Sequence, residues 1–568
     1  MGLSLSAGDS KDTASHHNAA MHDRRYLALL IAFQLLMIAV IQPYGNFPIN
    51  DDWAYAHSAI WFNTEHRIRL SNWIAMNLLP QTVAGGLLTA AVGFSFDALR
   101  HLTQIAALLA SISAYYFFKS ASLAAAQAFV ATLALMAMPS WPILANSFMT
   151  DIYCMVFALS AAALFLRLLE KHSTKMLVLA ILFSVVGILQ RQVVAVIPFA
   201  FMVAWFWTER ERTLRNIVFG LAPLVAVLAA EMLYQMYLKS GPGIPEAQLY
   251  AHSRVWPLFL SELRGENGMR EYAGSNLVSI TGYLGLFLIG WIVWWGMPGV
   301  SRRSIIFGAV FAITAAGVAL ACNWLPPYQA NNTIDAAGIG PFTLYDVMSH
   351  PLFKLDRSPG IVWRIAGIAA AFGFVALCAL AFATLAHLSR EKRKADGCRL
   401  FLSILVCAYL APFVITGYFD RYLLFALPFL IALWARTWPI FEGSVARLHR
   451  LIAIAWILLV TGISAAATHD YFAWNRVRWE AIRYAESIGI TADKLDGGFE
   501  YNGFYGYETR ERASVPGKSW WWVVDDEYVV AFSLVPGYEV AATFPVRGWL
   551  SRTPAYIRLL RRQYESPA

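Results

Sequence analysis

Charge is what this sequence has least of. Asp, Glu, Lys and Arg make up 14% of its 568 residues against 58% hydrophobic ones, and the mean hydropathy is +0.51. So little charge cannot solvate the surface of a soluble domain of this size, which excludes a single water-soluble core and implies a polytopic membrane protein. Cysteine is also scarce: Cys154, Cys322, Cys378 and Cys407 lie in or at the ends of apolar segments and Cys398 in a basic loop, positions that suggest neither a disulfide framework nor a metal site. No Gly-rich phosphate loop is evident, and His57 and His66 lack partners at metal-ligand spacing, so no metal is assigned. An internal repeat is also lacking, which weighs against a repeat-built transporter. The formal net charge of +8 would suggest nucleic acid in a soluble chain. Here the Lys and Arg sit in short loops between apolar runs, where they set topology, and no nucleic-acid partner is expected.

What is abundant is apolar runs. Residues 1–25 are polar and are expected to form a disordered cytoplasmic tail; the run over 27–41 follows Arg24 and Arg25 and reads as an uncleaved first span with its amino terminus inside. The stretch 70–93 is apolar but interrupted by Asn72, Asn77, Pro80, Gln81 and Gly85-Gly86. Treating it as juxtamembrane or re-entrant restores the positive-inside pattern downstream. Further spans then fall near 97–118, 121–138, 152–169, 176–190, 192–208, 216–238, 279–296, 304–322, 361–386, 400–416, 421–438 and 450–467, about 13 in all. The expected fold is an all-α polytopic membrane protein over residues 26–467, with external loops 44–96 and 323–360, followed by a small extracytoplasmic α+β domain over 468–568. In that domain 474–488 reads as a helix ending at Gly489, and 520–524, 528–534 and 540–546 read as strands, the last two joined by a turn at Pro536-Gly537.

The first external loop opens with Asn50-Asp51-Asp52-Trp53. Charged groups near hydrocarbon are costly, so an acidic pair at a membrane surface marks a functional-site candidate. Asp51 or Asp52 is suited to act as a general base, because hydrocarbon nearby and a second carboxylate both raise one pKa. The plainer alternative is a helix-capping pair. Asp151 begins the next span after a Pro-containing external loop, and a first-turn acid is its equally weighted alternative. Arg191 lies at the outer tip of a helical hairpin, where it either binds a lipid phosphate in bidentate fashion or snorkels to the interface. Arg421 is a second outer cation, unless Asp420 beside it neutralises it; Lys354 and Arg357 are a third pair of candidates for phosphate binding. The Asn331-Asn332-Thr333 sequon and the Trp520-Trp521-Trp522 run are weaker signals.

An acidic pair in the first external loop, a second external Asp, a hairpin with a cation at its tip and many spans together resemble the GT-C fold glycosyltransferases. The nearest resemblance is to bacterial relatives of the protein O-mannosyltransferases and lipid A aminoarabinose transferases, strongest at Asp51-Asp52, 147–167 and 419–428. It implies transfer of a sugar from a polyprenyl-phosphate donor with inversion, Asp51 or Asp52 and Asp151 as the site acids, and Arg191 as the basic residue. The expected place is a bacterial inner membrane, where the amino terminus is cytoplasmic and an odd number of spans puts the carboxy terminus in the periplasm. The protein mannosyltransferases carry Asp-Glu where this chain has Asp-Asp, and their lumenal insert has no counterpart here. The acceptor is therefore open among glycan, lipid and protein; no cofactor is certain, and a divalent metal stays open. The competing readings are a surface-glycan polymerase or ligase, a transporter or flippase of lipid-linked sugars, for which Glu231 is the clearest deeply placed charge, and a scaffold.

Overall fold

The structure, a computed structural model, describes residues 7–209, 211, 213–264, 269–321, 332–335, 338–348, 361–390, 397–508, 522–523, 525–550 and 553–563. It is a helical bundle with a small sheet at the carboxy-terminal end, as expected. Backbone polar groups in hydrocarbon must be satisfied within the segment, so the long apolar runs become helices. Among the described residues eight helices are long and apolar enough to cross a membrane: Met21–Ile41, Phe96–Ser120, Thr150–Glu170, Leu214–Ser240, Glu271–Trp295, Ile365–Ala386, Gly397–Thr416 and Ala446–Ser487. The expected spans at 121–138, 176–190 and 192–208 fall on shorter apolar helices, Ala125–Met136, Thr174–Gln190 and Gln192–Thr208. The interrupted stretch 70–93 holds one more, Leu79–Val92, which has Pro80 in its first turn and is capped by Gly93, a residue with φ +83°. The first helix already begins at Ala7, so described residues expected to be a disordered tail continue the helix; no Pro lies between Ala7 and Ile41 to stop it.

Small residues set how closely these helices approach. Ala107, Ala110 and Ala114 of Phe96–Ser120 and Ala158, Ala161 and Ala162 of Thr150–Glu170 are all fully buried in the same core. Gly285 and Gly373 bring two further helices into backbone contact: a Cβ on Gly285 would meet the Gly373 backbone at 2.6 Å.

The last helix differs from expectation. Ala446–Ser487 is one helix of 42 residues, so the break expected after 467 and the separate helix at 474–488 do not exist. After Gly462 neither Gly nor Pro occurs until Gly489, and the helical period of the apolar face simply carries on, now burying Tyr471, Phe472, Trp474 and Trp479. The sheet differs too. Strands β1 (Ile334–Asp335) and β2 (Gly338–Ile339) form a separate antiparallel pair in the large loop. Strands β3 (Leu495–Asp496), β4 (Tyr528–Ala531), β5 (Tyr538–Pro545) and β6 (Tyr556–Arg562) form a sheet in the order β3-β4-β6-β5. The two strands expected to pair across Pro536-Gly537 are therefore separated by β6, which pairs antiparallel with both. Its Tyr-Ile-Arg-Leu-Leu-Arg-Arg reads as a charged surface segment, yet Ile557, Leu559 and Leu560 are fully buried. Of the strand expected at 520–524, residues 520, 521 and 524 lie outside the described residues, and Trp522 has φ +59°, which is not a strand conformation.

An aromatic cluster fastens this end of the molecule to the first loop. Trp53 packs on Trp73, Phe499, Tyr507 and Trp522 with ring centroids 5.3–5.9 Å apart. Gly503 of the short helix Phe499–Gly506 presses on Trp53 so closely that a Cβ there would come within 2.5 Å of the indole.

Candidate active site

Asn50 adopts φ +52°, a left-handed conformation that Asn tolerates better than most residues, and so turns the chain sharply into the helix Asp52–Glu65. Asp51 occupies the capping position of that helix but makes no side-chain cap hydrogen bond, so its carboxylate is free for other partners. One oxygen, Oδ1, accepts from Trp73 Nε1 at 2.9 Å; the other, Oδ2, lies 3.5 Å from Arg421 Nη2. The neighbouring carboxylate turns the opposite way. Asp52 is buried, and its Oδ2 accepts from the Ile49 N–H at 3.3 Å. Burial pushes the Asp52 carboxyl up to about 7, against backbone donors and Arg100 that pull it down. Burial also raises Asp51, with the Arg421 guanidinium opposing.

Asp151 stands in the first turn of Thr150–Glu170. Its Oδ1 pairs with Arg191 Nη1 at 2.5 Å and its Oδ2 with Arg421 Nη1 at 3.5 Å. Arg191 is held in an extended backbone conformation, φ −148°, between the helix ending at Gln190 and the turn Gln192–Ala195; the hairpin thus breaks at this residue and projects its side chain. Arg421 comes from the 3₁₀ turn Asp420–Tyr422, and the Tyr422 ring lies beneath both guanidiniums at 5.3 and 5.4 Å. The result is a chain of alternating charge, Asp51–Arg421–Asp151–Arg191. Its middle is sealed, with the Arg421 and Asp151 side chains 2% and 6% exposed, while the ends at Asp51 and Arg191 are 17% and 14% exposed. Arg421 Nε is buried without a hydrogen-bond partner among the described residues. A narrow cleft runs along Asp151, Arg191 and Arg421 and is otherwise lined by apolar and aromatic side chains such as Val193, Tyr409, Leu424 and Phe425.

Asp420 does not neutralise the Arg421 side chain. Its carboxylate accepts from the N–H groups of Thr333 at 3.0 Å and Ile334 at 2.6 Å and from the Thr333 hydroxyl at 2.9 Å, and so anchors the large loop beside the site. The polar residues that interrupt 70–93 are likewise consumed in seating that segment. Asn77 donates to Ile188 O at 2.9 Å and to Glu231 and accepts from Gln192, while Gln81 bridges Gln190 and Phe148 O at 2.7 Å each. Glu231, the deep charge that a transporter reading would need free, is held by Asn77 and Gln235.

Asp51, Asp151, Arg191 and Arg421 therefore come together, Asp52 adjoins them but faces away, and Lys354 and Arg357 lie outside the described residues. Trp73, Tyr422 and Asp420 were not singled out as site residues from the sequence. Among the described residues no group of three or more His, Cys, Asp and Glu side chains is placed to hold a metal ion, and the two site carboxylates already face guanidiniums.

Residues 85–234, which contain Asp151 and Arg191, match the family described as dolichyl-phosphate-mannose-protein mannosyltransferase. No curated protein sequence matches. Two crystal structures of ArnT from Cupriavidus metallidurans are similar in sequence and fold at a low level: one bound to undecaprenyl phosphate, 13% identical, and one in the apo state, 14% identical, each covering 94% of this chain and 98% of the other at a TM-score of 0.39. The family match bears out the resemblance to membrane-embedded glycosyltransferases of the GT-C kind.

Proposed function

We propose that the chain is an inverting glycosyltransferase that moves a sugar from a polyprenyl-phosphate donor to a glycan, lipid or protein acceptor outside the cytoplasm, from a bacterial inner membrane in which its amino terminus is cytoplasmic. The observation that carries this reading is the chain Asp51–Arg421–Asp151–Arg191 beside an apolar-lined cleft. Such a transfer needs a base for the acceptor, cations for the departing phosphate and an apolar path for the prenyl tail.

In this mechanism Asp51 takes the proton of the acceptor hydroxyl as the acceptor oxygen bonds to the anomeric carbon from the face opposite the leaving group. The bond between the anomeric carbon and the phosphate oxygen breaks, and the electron pair leaves with the polyprenyl phosphate. Arg191, at the open end of the charge chain, meets that phosphate, and Arg421 behind Asp151 adds positive charge to the site. Asp151 holds the two guanidiniums in place and does not itself accept the proton. Asp52, held by the Ile49 N–H and turned away from both arginines, supports the loop rather than the chemistry.

The test is transfer of labelled sugar from a panel of polyprenyl-phosphate sugars in membranes, comparing the parent with Asp51→Asn and Asp52→Asn at matched protein levels. Transfer by the parent that Asp51→Asn loses by roughly 10²–10⁴-fold, and Asp52→Asn does not, supports the assignment. Loss in Asp52→Asn alone overturns the choice of base, and no donor consumption by the parent with any sugar overturns the reaction class.

A further inference from the structure

The carboxy-terminal helix Phe499–Gly506 contributes a carboxylate that the mechanism above does not use. Glu500 is fully buried, about 450 residues along the chain from Asp51, yet its Oε1 accepts from the backbone N–H of Asn50 at 3.2 Å. Its other oxygen accepts from the Thr343 hydroxyl at 2.6 Å and from Arg478 Nη1 at 2.8 Å. Arg478 is itself fully buried and braced by the Gly497 carbonyl at 2.8 Å. Asn50 is the residue held at φ +52°, and its side chain donates to Asn332 Oδ1 at 3.4 Å. Three remote parts of the chain, the large loop through Asn332 and Thr343, the last long helix through Arg478 and the carboxy-terminal helix through Glu500, thus converge on the peptide that precedes Asp51. A left-handed residue persists only where its surroundings over-determine it, and such residues cluster at functional sites.

We propose that Glu500 is a positioning residue: it fixes the strained Asn50 peptide and thereby aims the Asp51 carboxylate at Arg421 and the reacting centre. This rests on the reading of Asp51 as the base. It also gives the carboxy-terminal domain a part in the transfer, since that domain supplies the group that sets the first loop. The charged and titratable groups around Asp51, whose Oδ1 accepts from Trp73, are Arg421 beside Oδ2, then Asp151, Glu500, Asp52 and Tyr55. Among them Glu500 adds negative charge behind the loop, so its neutralisation shifts Asp51 toward ionising at lower pH.

The experiment uses the full chain in detergent or nanodiscs and compares the parent with Glu500→Gln and Glu500→Asp. Glu500→Gln is expected to lower kcat by roughly 10- to 100-fold with the donor KM little changed, and to move the acid limb of the rate profile to lower pH. Glu500→Asp keeps the charge but not the reach, and is expected to lower kcat without moving that limb. Hydrogen–deuterium exchange supplies a readout independent of turnover: in Glu500→Gln the peptides around residues 48–55 exchange faster while those of the helix Phe96–Ser120 do not. Parent-like kcat, pH profile and exchange in Glu500→Gln would overturn the proposal, as would faster exchange spread over the whole chain, which marks a general loss of stability. If the parent transfers no sugar, the reaction class fails while the exchange result still decides whether Glu500 sets the loop.

Discussion

Arg478 and Glu500 form an ion pair 2.8 Å long in which neither side chain is exposed, whereas Arg421 stands 3.5 Å from both Asp51 and Asp151 and borders a cleft. Both assemblies are buried arginine–carboxylate pairs within the same end of the molecule. The first has Glu500 fully engaged by Asn50, Thr343 and Arg478 and is closed on all sides; the second ends in the partly exposed Asp51 and Arg191. A charge pair that reaches an opening is able to meet a further anion, and one closed off on all sides is suited only to fix geometry.

Removing Arg478 tests the sealed side and has the largest expected effect. Arg478→Met leaves Glu500 buried without its cation and is expected to cost about 3–5 kcal/mol, seen as a lower Tm and yield in detergent. Adding Glu500→Gln to it recovers part of that stability, and a single variant as stable as the parent would remove the distinction between the two assemblies. On the open side, Arg421→Ala is expected to lower kcat by roughly 10²–10³-fold at matched protein level. Arg421→Lys restores little, because an ammonium does not span Asp51 and Asp151 as the planar fork does. Full rescue by Lys would reduce Arg421 to a point charge. Arg191→Ala is expected to lower turnover by about 10-fold or more with a small change in Tm, since Asp151 keeps Arg421 as partner. A fall in Tm equal to that of Arg478→Met would make Arg191 a structural residue instead.

The smallest effect separates the adjacent acids. The Asp52 carboxyl is raised from 3.8 to about 7 in the folded chain, so its neutral form is favoured by folding. The stability this contributes is full below pH 3.8 and is lost as the pH rises through 7. Asp52→Asn, which mimics the neutral acid, is expected to raise Tm at pH 8 by about 2–4 °C, with the gain vanishing toward pH 4. A Tm difference independent of pH would mean that Asp52 is ionised in place.

Much of the fold is legible in the residue order because hydrocarbon imposes a strict rule: an apolar run must become a helix, and Lys and Arg mark its ends. The carboxy-terminal part is less legible. The break after 467 was expected from a change in composition, but composition changes there because the helix leaves one apolar environment for another, and the backbone has no reason to stop. Strand β6 is not legible in the residue order because its arginines mask an inner row of Ile557, Leu559 and Leu560 that is buried only by the pairing with β4 and β5. At the site, Asp51-Asp52, Asp151, Arg191 and Arg421 all stand out as charges beside apolar runs. Trp73 carries no such mark, because its hydrogen bond to Asp51 is a property of the folded loop.

The sequence by itself determined that the chain is a membrane-embedded helical protein, and that its isolated acids and arginines gather at the ends of the runs, because placing charge within hydrocarbon is costly wherever it occurs. Only the tertiary structure decided which of two adjacent carboxylates faces the arginines. Neighbours in sequence differ by the rotation of one peptide, and the left-handed turn at Asn50, held by Glu500 from the far end of the chain, sets that rotation.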